Sequence, residues 1–182
     1  MINNNLPIEL EAKYQAFDKG NPDMQGLAIQ GYASLFNRPD QSGDIVKKGA
    51  YQKSLSQKSK DKIAIKMLWQ HDPTQPIGIW DEVYEDDRGL FVKGRILQEI
   101  QAGQEALVLL DAGVIDGLSI GYRTVESTKN SHGGRDLREV ELWEVSLVTF
   151  PMLPDARVDA GDSDLVADLA DVISQARREL LG

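Results

Sequence analysis

The chain has 182 residues, 20 of them basic and 29 acidic, for a formal charge of −9, and it contains no cysteine. Disulfide scaffolds, thiolate metal sites and cysteine nucleophiles are therefore excluded. With His71 and His132 as the only histidines, a multi-histidine metal centre has too few ligands. The acidity argues against broad nucleic-acid binding, which needs clustered Lys and Arg. No apolar run approaches the roughly 20 residues that span a bilayer. The first seven residues lack the basic-then-apolar pattern of a signal peptide, so a cytosolic single-domain protein is expected.

Residues 8–17 mix apolar and charged side chains and form the first strand candidate. Leu27, Ile29, Gly31, Ala33 and Leu35 alternate at period two, which predicts a strand over 27–36. A turn-rich stretch, 37–43, leads to a short helix expected over 49–59 and a charged connection over 58–62. Residues 63–70 are strongly apolar and predict a buried strand running into His71, where Asp72-Pro73 must end or turn it. Strands over 77–84 and 90–96 flank Glu85-Asp86-Asp87-Arg88-Gly89, a hairpin signature.

Ile100, Ala106, Leu107, Leu109 and Leu110 mark a helix over 97–112 with Gly113 as its stop. A strand follows over 117–125, then a Gly-rich hairpin loop over 127–136, then a long strand over 137–150 ended by Pro151. From Asp155 onward seven acidic residues face three arginines, and Leu165, Leu169, Val172, Ile173 and Leu180 describe an amphipathic helix over 164–181. The pattern is mainly β with helices, an α+β chain that suits a β-barrel or folded sheet and not a doubly wound parallel fold.

Gly117-Leu118-Ser119-Ile120-Gly121 matches G-x-S-x-G, the nucleophile elbow of α/β-hydrolases. The context does not fit, because an elbow needs a strand before the serine and a helix after it. On the five residues alone, an ordinary strand serine is the better reading. His71 is different: it stands at the end of an apolar strand, where a rigid scaffold holds a side chain yet leaves it accessible, and histidine serves as a general base near neutrality. Asp72 is a poor partner for it, since neighbours on an extended strand point to opposite faces.

Glu144 lies in the middle of a strand apolar on both faces, with Leu142, Ser146 and Val148 on its own face. Such a carboxylate needs a partner. A histidine would serve, and so would Arg123, Arg138 or a lysine; the residues leave these equal.

Trp69-Gln70-His71-Asp72, Gly117-Leu118-Ser119-Ile120-Gly121-Tyr122 and Leu142-Trp143-Glu144-Val145-Ser146-Leu147-Val148 together resemble the prohead proteases of tailed bacteriophages. Ser42-Gly43-Asp44-Ile45-Val46, Gly49-Ala50-Tyr51 and Pro76-Ile77-Gly78 add to the resemblance, which covers roughly residues 9–158. Pro151-Met152-Leu153-Pro154-Asp155-Ala156 follows the family pattern only loosely.

The resemblance implies a capsid-maturation serine protease with the assemblin-like fold of herpesvirus proteases, a barrel of mixed and antiparallel strands surrounded by helices. It implies Ser119 as nucleophile, His71 as general base and acid, and Glu144 as the residue that orients His71, with no cofactor and no metal. Backbone N–H groups near residues 149–153 would hold the oxyanion, with Arg123 as a weaker choice. The expected domain is 1–158, followed by an acidic helical segment over 159–182 that packs on the domain or serves assembly and targeting.

The implied partners are the major capsid protein and scaffold as substrates and the chain itself through autoprocessing or as a homo-oligomer such as a dimer, without nucleic acid or membrane. The implied place of action is the assembling procapsid in the host bacterial cytoplasm. Two rivals are a non-catalytic assembly module of the same fold and an esterase or amidase of another fold; the motif order counts against the latter.

Overall fold

A computed structural model of the chain describes residues 27–131 and 133–159. The strand expected over 8–17, the helix expected over 164–181 and His132 lie outside the described residues, and the expected domain boundary at 158/159 falls at their edge.

Seven strands and two helices follow in the order β1 (Leu27–Leu35), β2 (Ile45–Val46), α1 (Gln52–Asp61), β3 (Lys66–Trp69), β4 (Asp72–Glu85), β5 (Gly89–Ile96), α2 (Gln101–Asp111), β6 (Gly117–Lys129) and β7 (Arg135–Val148). They form one mixed sheet in the order β1-β5-β4-β3-β7-β2, with β6 paired to β7. β7 runs parallel to β2 and β3 and antiparallel to β6.

The sheet curls around Tyr51, Met67, Ile77, Leu90, Ile96, Leu118, Leu142 and Leu147, all fully buried. Alternation explains much of this. In β5, Leu90, Val92 and Ile96 point inward while Lys93 faces solvent. Trp80 reaches across the core and donates from Nε1 to the Val145 carbonyl at 3.1 Å.

The edge strands β1 and β6 are joined by the last described residues. Leu118 N–H donates to the Ala156 carbonyl (2.9 Å), Val158 N–H to Asp116 (2.8 Å) and Asp159 N–H to Gln30 (2.8 Å). Single bridges connect Gly31 to Val158 and Gly117 to Arg157. Residues 156–159 thus act as a strap across the open side of the half-barrel. The mainly-β fold with helices expected from the sequence is the one observed.

Several boundaries move, each for a local reason. Residues 63–65 are not in β3. Ile63 instead donates its N–H to the Lys58 carbonyl (2.9 Å), and Lys62 takes a left-handed φ of 56° to close the end of α1. The helix therefore runs through Asp61, and Ile63 is left 52% exposed. Gly49 to Tyr51 form a turn before α1, with the Gly49 and Tyr51 N–H groups bound by Glu85 Oε1. The loop expected over 127–136 shrinks to 130–134, because the β6–β7 ladder continues to Lys129 and Arg135. β2 is a two-residue strand with no periodicity to announce it.

Asp44, just before β2, is buried and binds Arg135 at the start of β7. It accepts the Arg135 backbone N–H at 2.7 Å and one guanidinium nitrogen at 2.5 Å. The Arg135 hydrogen bond holds the Asp44 carboxyl below its usual range. A carboxyl whose pKa falls on folding stabilises the folded chain fully above its unfolded pKa, about 3.9 for Asp, and loses that contribution as pH falls through the folded value. Urea unfolding midpoints should therefore drop below about pH 4 more steeply in the wild type than in Asp44→Asn; equal slopes would remove Asp44 from the acid response.

Candidate active site

β7 is the base of the site. Across it on one side lies β6, where Ser119 pairs with Ser146 and Gly121 with Glu144. On the other lies β3, where Lys66 pairs with Glu144 and Trp69 with Leu147. β3 and β4 are joined by a two-residue turn, Gln70-His71, between the paired Trp69 and Asp72. Both turn residues have positive φ, 53° and 61°, the requirement of a type I′ hairpin that Asn-Gly ordinarily meets. A non-glycine pair in this region is strained and needs outside support.

The support comes from the end of β7. Gln70 N–H donates to the Leu147 carbonyl at 2.9 Å. The Gln70 amide donates to Thr149 Oγ1 at 2.8 Å and accepts the Thr149 N–H at 3.2 Å. His71 N–H donates to Ser146 Oγ at 3.2 Å.

The turn brings the His71 ring between two side chains from neighbouring strands. Nδ1 lies 2.6 Å from Glu144 Oε1 and Nε2 lies 2.9 Å from Ser119 Oγ. A carboxylate only accepts, so Nδ1 carries the proton and Nε2 is left free to accept from the serine. Ser146 donates to Glu144 Oε2 at 2.5 Å, so both carboxylate oxygens are occupied. Ser119 and Glu144 are buried, at 5% and 7% exposure, whereas the His71 side chain is 40% exposed. The ring thus faces solvent on one side and a buried acid on the other.

All three sequence-predicted residues therefore meet. The competing partners for Glu144 do not reach it in this arrangement: Arg123 binds Glu141 at 2.8 Å and 3.0 Å. Asp72 Oδ1 accepts from the Thr74 N–H and hydroxyl, and its Oδ2 accepts from Gln75, so it serves its own turn. Two residues that matter here, Gln70 and Ser146, were not candidates in the sequence. Alternation places Ser146 beside Glu144; Gln70 stands in the sequence only as part of the Trp69-Gln70-His71-Asp72 match, with no sign of its bonds to Thr149.

The glycines of the G-x-S-x-G match have a reason unrelated to an elbow. A Cβ on Gly121 would sit 1.9 Å from Glu144 Oε1, and one on Gly117 would sit 2.6 Å from the Val148 carbonyl and 2.8 Å from Pro151. Both glycines leave room for β7, and Gly117 also for the proline just beyond it. In Gly121→Ala the new methyl must push the Glu144 carboxylate aside, so the His71 Nδ1 proton resonance should shift; an unmoved resonance in a folded chain would show that the contact yields freely.

Beside Ser119 lies a cavity of about 180 Å³, lined by Ala33, Leu35, Val46, Leu118, Met152 and Leu153, with the Asp44–Arg135 pair on its wall. Among the described residues no group of three or more His, Asp or Glu could hold a metal ion, and no helix is long and apolar enough to cross a membrane.

The family described as caudovirus prohead serine protease matches residues 14–168. The chain belongs to that family. It is 31% identical over 152 residues to the prohead protease of Enterobacteria phage HK97, covering 81% of this chain and 66% of that one. It is 32% identical over 145 residues to the capsid polyprotein of Pseudomonas phage PAJU2, covering 75% of this chain and 20% of that one. The chain thus spans just under two thirds of the first relative and a fifth of the second. Among solved structures, the bacteriophage T4 capsid assembly protease aligns with a TM-score of 0.57 and 20% identity over 69% of this chain and 84% of its own, a likeness of fold.

Proposed function

We propose that this prohead protease family member is a serine endopeptidase of capsid maturation, working through Ser119, His71 and Glu144. The observation that carries the reading is the position of His71, within hydrogen-bond reach of a serine on one nitrogen and a buried carboxylate on the other. Ser119 Oγ attacks the scissile carbonyl while His71 Nε2 takes its proton. Glu144 keeps the imidazole in the right tautomer and stabilises the imidazolium. The proton then passes to the leaving amine, an acyl-Ser119 remains, and a water activated by His71 releases the product and restores the serine.

The oxyanion needs preorganised N–H donors. Pro151 has none, and the Thr149 N–H is engaged by Gln70. That leaves Phe150, Met152 and Leu153 within the expected stretch, of which Met152 and Leu153 border the same cavity as Ser119. Arg123 is a poor choice, four residues along β6 and roughly 13 Å away. The cavity offers an apolar floor to one side chain of the bound substrate.

The substrates in this reading are the major capsid protein and scaffold, together with the chain itself, and the place of action is the procapsid. Relatives named prohead protease and capsid polyprotein support that choice. The test is co-expression with a capsid protein carrying its scaffolding segment, followed by N-terminal sequencing of the product. A single new terminus is expected with the wild-type chain and none with Ser119→Ala. Processing that persists in Ser119→Ala overturns the assignment; a wild-type chain that cleaves nothing favours an assembly module of the same fold.

A further inference from the structure

We propose that Ser146 is a positioning residue for the reaction, a fourth side chain that sets the direction of the Glu144 carboxylate and the conformation of the His71 backbone at once. The inference rests on the roles just given to Ser119, His71 and Glu144.

Ser146 is completely buried, two residues beyond Glu144 on β7 and directly across from Ser119 on β6. A hydroxyl has one proton to give and two lone pairs to receive with. Here the proton goes to Glu144 Oε2 at 2.5 Å, and a lone pair receives the His71 N–H at 3.2 Å. With the contact between His71 Nδ1 and Glu144 Oε1 at 2.6 Å, the bonds close into a ring. It runs from the His71 main chain through Ser146 and Glu144 back to the His71 imidazole.

The ring answers two needs. A terminal carboxylate torsion is broad, and a donor on Oε2 fixes it so that Oε1 faces Nδ1. His71 sits at φ 61°, a conformation a non-glycine residue keeps only when neighbours hold it, and Ser146 holds its N–H. A small core filler would explain neither bond. Alanine would fill nearly the same space at this strand position, whereas a buried hydroxyl is costly unless both its functions are used.

The test uses the full chain, a fluorophosphonate probe and proton NMR. In the labelling reaction Ser119 Oγ forms the bond to phosphorus, fluoride leaves, and the hydroxyl proton passes to His71 Nε2. Ser146→Ala should lower the maximal labelling rate about 10- to 100-fold, the loss expected for one hydrogen bond to a charged group. The probe concentration giving half-maximal rate should not change. The low-field resonance of the His71 Nδ1 proton, assigned by its disappearance in His71→Ala, should shift or vanish in Ser146→Ala.

Ser146→Thr keeps the hydroxyl and should restore both readings when its melting curve shows it folded; if it does not fold, the alanine variant decides alone. A Ser146→Ala chain with wild-type labelling and an unmoved resonance overturns the proposal, as does one that only melts earlier. A wild-type chain that the probe does not label overturns the role of Ser119 instead, and the resonance still decides that of Ser146.

Discussion

Ser119→Ala is expected to lower kcat for cleavage of a capsid-derived peptide by about a million-fold, the loss seen when a triad nucleophile is removed. The substitution deletes one oxygen from a site that is 5% exposed and leaves the β6–β7 ladder intact, so the melting temperature should move by no more than a few degrees. His71→Ala should cost a similar factor, and the double variant little more than either single one, because the two side chains act in one step. The measurement is a progress curve at saturating peptide with enzyme concentration fixed by absorbance. A residual rate within about 100-fold of wild type would mean that another group attacks the carbonyl.

Glu144→Gln should lower kcat about ten-thousand-fold, the magnitude seen when a triad acid becomes an amide. The amide is the same size, so the effect is electronic. Where its NH2 faces Nδ1, the imidazole must accept there and carry its proton on Nε2, and it then cannot take the proton of Ser119. Ser146 would still find the amide oxygen, which keeps the strand in place. Asp72→Asn is the matched control, with a change of less than about threefold, since the Asp72 oxygens are bound by Thr74 and Gln75. A large loss in Asp72→Asn with little in Glu144→Gln would make Asp72 the orienting acid.

Much of this arrangement could be read from residues. Alternation marked β1, the polar Gly-ending loop over Glu85 to Gly89 marked the β4–β5 hairpin, and the end of an apolar strand marked His71 as the base. Motif order separated Ser119 from a hydrolase elbow. Effects that exist only across strands could not be read. Gln70 and His71 are poor residues for a type I′ turn, and only their bonds to Ser146, Leu147 and Thr149 make the turn possible. Gly121 looked like part of a motif, yet its role is to make room for a carboxylate on the neighbouring strand, far from any local signal. Glu144 had equal claims from His71 and from basic residues until pairing register placed Arg123 opposite Glu141. The start of β3 was misplaced because Ile63 closes the end of α1, its N–H bound by the Lys58 carbonyl, rather than extending the strand.

The strap over residues 156–159 has a bearing on how the chain tolerates cutting. Its four residues belong to neither edge strand by sequence, yet they tie both. A cut before Ala156 would release them and expose the edges of β1 and β6, inviting pairing with other chains and loosening the strand that carries Ser119. A cut after Asp159 would leave every one of those bonds in place. The position of the strap therefore separates a cut that frees the edges of β1 and β6 from one that leaves them tied.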